Sequence, residues 1–302
     1  MQACSAITSA ALEAFINQVV REGTKQYRDF AWRNTRDPYA ILLSEIMLQQ
    51  TQVTRVVSYY DSWLQRFPNI DALAAADMSE VLTAWQGLGY NRRALALKRL
   101  AEEVSENRAG ILPANYKELQ TLPGVGPATA AGVMAFAHNS FAPYLETNVR
   151  SVILHELFAD RFEVCDKEVM AIVEQSAKFL NSGAFCESNK GRVGAHDRNG
   201  KVSTIDARTW NYALLDYGAW LKKAFPNPSR RSKQHTRQSR FEGSFRQKRA
   251  RLLREVLAHP QQTAIVLADN CGVKLEEAEK ALGTLLKEGF IQCDNDSYSI
   301  AD

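Results

Sequence analysis

The sequence predicts an all-α fold that ends in a small winged-helix-like domain, and three observations carry that prediction. Apolar residues recur at three- and four-residue spacing almost throughout, short Pro, Gly, Asn and Asp breaks separate these runs, and strand-like runs occur only after Gly289. At 302 residues the chain exceeds the roughly 100 to 200 residues usual for one domain. A large domain over 1–225 and a small one over 246–302 are therefore expected, joined by a basic segment at 226–245. With 45% apolar and 24% charged residues the composition is that of an ordinary globular protein, which excludes disordered, collagen-like and disulfide-scaffold classes. No window reaches the roughly 18 apolar residues that span a membrane. The N-terminus lacks a basic start and is interrupted by Ser, Thr, Glu and Asn, so it does not read as a signal peptide, and a cytoplasmic protein is expected.

Along the chain, Asp77 and Glu80 form a capping-box-like pair that opens a helix through Val81, Leu82 and Trp85, which stops near Gly87 to Gly89. Helices are also expected over 115–121, over the Ala-rich stretch 128–138, and over Trp210 to Lys223 with Leu214, Leu215, Gly218 and Leu221 facing inward. The polar, Gly-rich stretch from Glu187 to Ile205 reads as a surface loop. From Lys222 to Arg254 there are 12 Lys and Arg against the single acid Glu242, within a chain whose net charge is only +3. Such a run is either a solvated surface or a phosphate-neutralising one. Beyond it, a basic amphipathic helix (246–258), a short helix (263–268), a turn at Cys271-Gly272, a helix (274–288) and two strand-like runs at 290–293 and 298–300 give the order of a winged helix. That module docks on DNA or on other proteins.

Three places bear chemistry. In Leu122-Pro123-Gly124-Val125-Gly126-Pro127, two glycines allow a tight helix-hairpin-helix turn and leave the amides opening the next helix free to meet a phosphate without reading sequence. Glu45 has apolar neighbours at i−4, i−3, i+1, i+2 and i+3, so it is either a desolvated carboxyl with a raised pKa, suited to general acid work, or a buried acid paired with an Arg such as Arg33. Glu146 precedes an apolar-periodic helix beginning near Val149, where amides and dipole favour its anion; it is either an ordinary cap or the ionised half of a carboxyl pair. One protonated and one ionised carboxyl suit glycosidic bond cleavage. The five cysteines, Cys4, Cys165, Cys186, Cys271 and Cys293, lie far apart with no C-x-x-C pair and read as reduced thiols, without the spacing of a metal site.

Trp32-Arg33 with Arg36-Asp37-Pro38-Tyr39, the run Ser44-Glu45-Ile46-Met47-Leu48-Gln49-Gln50-Thr51-Gln52-Val53, Gly87-Leu88-Gly89-Tyr90, and Leu122 to Ala130 together resemble the MutY-like adenine DNA glycosylases of the helix-hairpin-helix (endonuclease III) superfamily over roughly residues 28 to 222. The resemblance implies an all-α, two-lobed fold with DNA in the cleft and the target base flipped into a pocket. It assigns Glu45 to the acid that protonates adenine, Glu146 to the family's catalytic Asp and Asn148 to the pocket Asn beside it. Trp32, Arg33, Leu48 and Ala128 fall at base-pocket positions. Gln50, Leu88 and Tyr90 fall where the family wedges into the base stack, with Thr51 and Gly89 beside them and Gly124, Val125 and Gly126 on the backbone.

Four departures shape the expectation. Ala128 stands where bifunctional relatives carry a Schiff-base Lys, so base removal without strand cleavage is expected. Glu replaces Asp at 146, which moves the charge by about a bond length. The four-Cys iron-sulfur loop expected after Lys223 is replaced by the basic segment, so no cluster is expected and Arg230, Arg231 and Lys233 are assigned to phosphate contacts. A monovalent cation at the 122–127 hairpin is the one ion the resemblance admits. The winged helix stands where the family carries its 8-oxoguanine-sensing domain. The expected protein is thus a monomeric, nucleoid-associated glycosylase acting on duplex DNA with a damaged or mispaired base, adenine first. Hypoxanthine, uracil or an alkylated purine is the alternative, as is a non-catalytic DNA-binding protein of the same fold.

Overall fold

The computed structural model describes residues 7–182, 205–234 and 240–301. Almost all of the loop expected from Glu187, together with Cys4, Cys186 and residues 235–239, lies outside them. The helices in chain order are α1 (Ser9–Lys25), α2 (Pro38–Leu48), α3 (Val53–Arg66), α4 (Ile70–Ala75), α5 (Met78–Trp85), α6 (Arg92–Arg108), α7 (Tyr116–Leu119), α8 (Pro127–Phe136), α9 (Thr147–Leu157), α10 (Asp166–Asn181) and α11 (Ala207–Ala224). They are followed by α12 (Phe245–Ala258), β1 (Gln262–Thr263), α13 (Ala264–Cys271), α14 (Leu275–Glu288), β2 (Ile291–Asp294) and β3 (Ser297–Ile300). Among the described residues the fold is all-α apart from one small antiparallel sheet of order β1-β3-β2. Among the described residues no helix is long and apolar enough to cross a membrane.

By its contacts the chain groups into two compact units that do not follow its linear order: Met1–Glu45, Pro113–Thr121 and Val125–Thr236 in one, Ile46–Leu112, Leu122–Gly124 and Arg237–Asp302 in the other. In the first unit α1 begins at a Thr8 cap and buries the stripe Leu12, Phe15, Ile16, Val19 and Gly23. A Cβ on Gly23 would stand 2.4 Å from the Ala213 carbonyl oxygen, and one on Gly218 would stand 2.2 Å from that of Asn148. Those two glycines let α11 approach α1 on one side and the first turn of α9 on the other, backbone to backbone. α8, apolar on every face, is buried from Thr129 to Phe136.

In the second unit α5 begins at the expected Asp77–Glu80 capping box, and Trp85 meets Trp63 edge to face at 5.3 Å. The winged-helix elements belong to this same unit: Arg92 on α6 pairs with Glu288 at 2.6 Å, and Arg249 on α12 reaches the same carboxylate. The β2–β3 hairpin turns through Asn295 and Asp296, both at positive φ (47° and 61°), the geometry of a two-residue type I′ turn. β1 escaped the sequence reading because two residues are too few to show a period.

Candidate active site

α2 starts at Pro38, and Asp37 accepts a hydrogen bond from the Ala40 amide at 3.0 Å, which fixes the helix entry. Ile41, Leu42, Leu43, Ile46 and Met47 are buried, whereas Glu45 keeps an intermediate exposure. The Tyr144 hydroxyl donates to Glu45 Oε2 at 3.3 Å, and α8 passes so close at Gly132 that a Cβ there would stand 2.2 Å from the same oxygen. Desolvation pushes the Glu45 carboxyl up to about 8, with the charge of Glu146 adding to the effect and the Tyr144 hydrogen bond opposing it. Of the two readings open for Glu45, pairing with Arg33 is not the one observed: the Arg33 guanidinium is bound bidentately to Asp216 at 2.7 and 2.9 Å.

Glu146 caps α9, its Oε1 accepting from the Asn148 and Val149 amides at 2.6 and 3.1 Å. The expected depression of its pKa is corrected, because burial raises it and outweighs the lowering by Lys222, the two amides and Arg150. The pair still differs in kind. Glu146 has two amide donors and a neighbouring ammonium to hold its charge, while Glu45 has one hydroxyl. Asn148 Oδ1 is buried with no hydrogen-bond partner, which leaves an acceptor free for a bound molecule.

Trp32 and Arg33, expected at base-pocket positions, are 5% and 6% exposed. Trp32 stacks on Phe30 at 4.8 Å, and the Arg33 guanidinium lies 4.2 Å from the Tyr212 ring centroid. Removing one partner of a buried ion pair strands the other charge, so Asp216→Asn is expected to lower stability by about 3–5 kcal/mol, measured by urea denaturation. Ala128, on the first turn of α8, and Leu48, at the end of α2, keep intermediate exposure.

In the second unit Gln50 and Tyr90 are exposed, with left-handed backbone at φ 55° and 52°. For a non-glycine residue that conformation costs roughly 1–2 kcal/mol, so each must be held by its surroundings. Gly89 (φ 74°) is exposed beside Tyr90, and Thr51 is half-buried. Leu88 is 2% exposed, which corrects its expected wedge role: its side chain fills the core and the exposed Tyr90 is the residue presented outward. At the hairpin, Gly124 (φ 74°) and Gly126 are exposed while Val125 is 5% exposed and anchors the turn. A Cβ at Gly126 would meet nothing within 4 Å, and α8 opens there with no side-chain cap, so this turn fits a group approached through main-chain atoms, a phosphate on amides or a cation on carbonyls.

Residues 43–179 match the model of the HhH-GPD superfamily base excision DNA repair proteins. The adenine DNA glycosylase of Mycobacterium tuberculosis is 32% identical over 234 residues, covering 76% of this chain and 74% of that protein. The chain belongs to the adenine DNA glycosylases of the HhH-GPD superfamily. Buchnera aphidicola adenine DNA glycosylase is 39% identical, over 41% of this chain and 35% of its own length. Among solved structures, a thermostable thymine-DNA glycosylase aligns with TM-score 0.51 and 26% identity, over 70% of this chain and 87% of that one. A Helicobacter pylori 3-methyladenine DNA glycosylase shares the fold, with TM-score 0.52 at 15% identity.

For a member of this superfamily, the basic segment after α11 is organised in an unexpected way. Arg230 and Lys233 are exposed, but Arg231 is not free for phosphate: its guanidinium donates to the carbonyls of Leu154 (2.7 Å), Phe158 (2.9 Å) and Ala159 around the end of α9. This corrects its DNA-binding assignment, since open carbonyls at a helix C-terminus attract a guanidinium. Ser232 bridges in parallel to Val164, so the segment is stitched to the chain after α9. The residues present do not fit an iron-sulfur cluster. No Cys stands between Cys186 and Cys271, and among the described residues Cys165, Cys271 and Cys293 are free and no group of three potential ligands comes together.

Sequence reasoning missed Tyr144, Gly132, Asp216 and Lys222 as parts of the site. Gly132 had a signal: a glycine inside an Ala-rich helix costs about 1 kcal/mol against Ala and marks a close approach. The others had none, because their partners lie 76 or more positions away in the chain.

Proposed function

We propose that the protein is a monofunctional glycosylase that flips adenine from A/G-type mismatches in duplex DNA and hydrolyses its N-glycosidic bond, working as a monomer. The observation that carries this reading is the pair of carboxyls: Glu45, kept protonated by desolvation with its value near 8, and Glu146, held by two amides and the Lys222 ammonium. Glu45 delivers a proton to the flipped base, which leaves as a neutral group, and the Glu146 carboxylate stabilises the oxocarbenium-like sugar until water resolves it. Asn148 Oδ1, an acceptor without a donor, suits the exocyclic amine of adenine. With Ala128 at the Schiff-base position, cleavage of the strand requires added alkali. No step runs through a metal cluster. Base release from an A/G duplex, scored with and without alkali, tests the reading.

The altered pocket at Ala128 and Glu146 favours testing a second one, excision of hypoxanthine, uracil or an alkylated purine, on the same panel. The backbone grip is tested by salt. Arg230→Ala and Lys233→Ala are each expected to flatten the slope of log affinity against log salt by about 0.9 per phosphate contact, whereas Arg231→Ala lowers stability instead. An unchanged slope in the first two variants would make that surface a solvated one.

A further inference from the structure

Arg93, near the start of α6, is 9% exposed and has no place in the chemistry above. Its Nη1 donates to the carbonyls of Ile46 (2.9 Å), Met47 (2.9 Å) and Gln49 (2.6 Å) around the end of α2. Its Nη2 donates to Thr51 Oγ1 (2.9 Å) and to the carbonyls of Gly89 (2.9 Å) and Leu88 (3.4 Å). Trp85 Nε1 donates to the same Gly89 carbonyl at 3.0 Å, and the guanidinium stands 5.3 and 5.4 Å from the Trp85 and Tyr90 ring centroids. One planar fork therefore binds two segments far apart in sequence, and each presents one exposed residue in left-handed backbone, Gln50 and Tyr90.

We infer that Arg93 is a positioning residue that fastens the 46–51 and 87–90 segments into one rigid element, so that Gln50 and Tyr90 enter the duplex as a unit and not one after the other. The inference rests on the reading that these two residues contact DNA. It also follows that Lys cannot take the place of Arg93, since an ammonium has three donors on a flexible stem where this site uses a flat fork reaching six oxygens.

The test combines amide hydrogen exchange on the free protein with a double-variant cycle on a duplex carrying 2-aminopurine at the target base. With Arg93 present, Gln50→Ala and Tyr90→Ala are each expected to remove most of the fluorescence rise, and the double variant to remove little more. In Arg93→Lys the two losses become additive, and exchange in both segments quickens at least tenfold while the amides of α3 keep their rates. Thr51→Val, which removes the hydroxyl that accepts from Arg93 and lies within donating reach of the Gln49 and Leu88 carbonyls, moves both readouts the same way by a smaller factor and stands in if Arg93→Lys fails to fold. Additive losses with Arg93 present, or segments that exchange no faster in Arg93→Lys and Thr51→Val, would overturn the inference. If the wild-type protein brightens no duplex yet the two segments still loosen together in Arg93→Lys, the DNA reading fails while the fastening stands.

Discussion

Glu45→Gln is expected to slow single-turnover base release by about 10²- to 10⁴-fold while duplex affinity stays within a few-fold of wild type. Gln is nearly isosteric and neutral, and the surroundings already favour the neutral form of residue 45, so the substitution leaves the packing of Ile41, Leu42 and Met47 as it is and removes only the transferable proton. The pH dependence follows from the direction of the shift. The working form of Glu45 is the protonated one, so the activity it supplies is present below about 8 and is lost as pH rises through that value. Stability moves in the same sense: a carboxyl whose value is raised on folding contributes fully below its ordinary 4.5, and that contribution is lost as pH rises through about 8. The Gln variant lacks this alkaline loss, so its melting temperature should fall less between pH 6 and 9 than that of the wild type, a comparison for which circular dichroism suffices.

Gly132→Ala should separate activity from stability. The added methyl would stand 2.2 Å from Glu45 Oε2 and 2.6 Å from its Cδ, and its three nearest atoms all belong to that side chain. The end of a Glu side chain can swing aside, and Ala is the better helix former by about 1 kcal/mol, so the melting temperature should hold or rise. The carboxyl, however, is displaced from the place where it meets Tyr144, and a misplacement of about 1 Å in a reacting group costs roughly 10²-fold in rate. Gly218→Ala is the contrasting case, because its methyl meets the Asn148 backbone, which cannot swing aside, and the expected loss there is of the fold. Equal activity in Gly132→Ala and wild type would place the working proton elsewhere.

What was legible in the sequence was what is local. The Asp77 cap, the hairpin glycines, the winged-helix order and the apolar surroundings of Glu45 are written in residues one to four positions apart. Glu146 shows the limit of that logic. Its capping geometry followed from one helix start, but the sign of its shift depends on burial, and the close approach of α11 to Asn148 beside it is set by Gly218 some 70 positions later. Leu88 and Arg231 failed for the same reason: a motif places a residue in a loop, and only the assembled core decides whether its side chain turns inward.

The central claim is that two carboxyls remove adenine without a lyase Lys. Its most direct test is single-turnover processing of labelled duplexes carrying A opposite G, A opposite 8-oxoguanine, U opposite G, hypoxanthine and alkylated adenine, each scored with and without alkali, beside Glu45→Gln. The account predicts strand breaks from the adenine mismatches alone, only after alkali, and formed at least about 10²-fold more slowly by the variant. Breaks without alkali, breaks formed as fast by Glu45→Gln, or tight duplex binding with no base released from any substrate would contradict it.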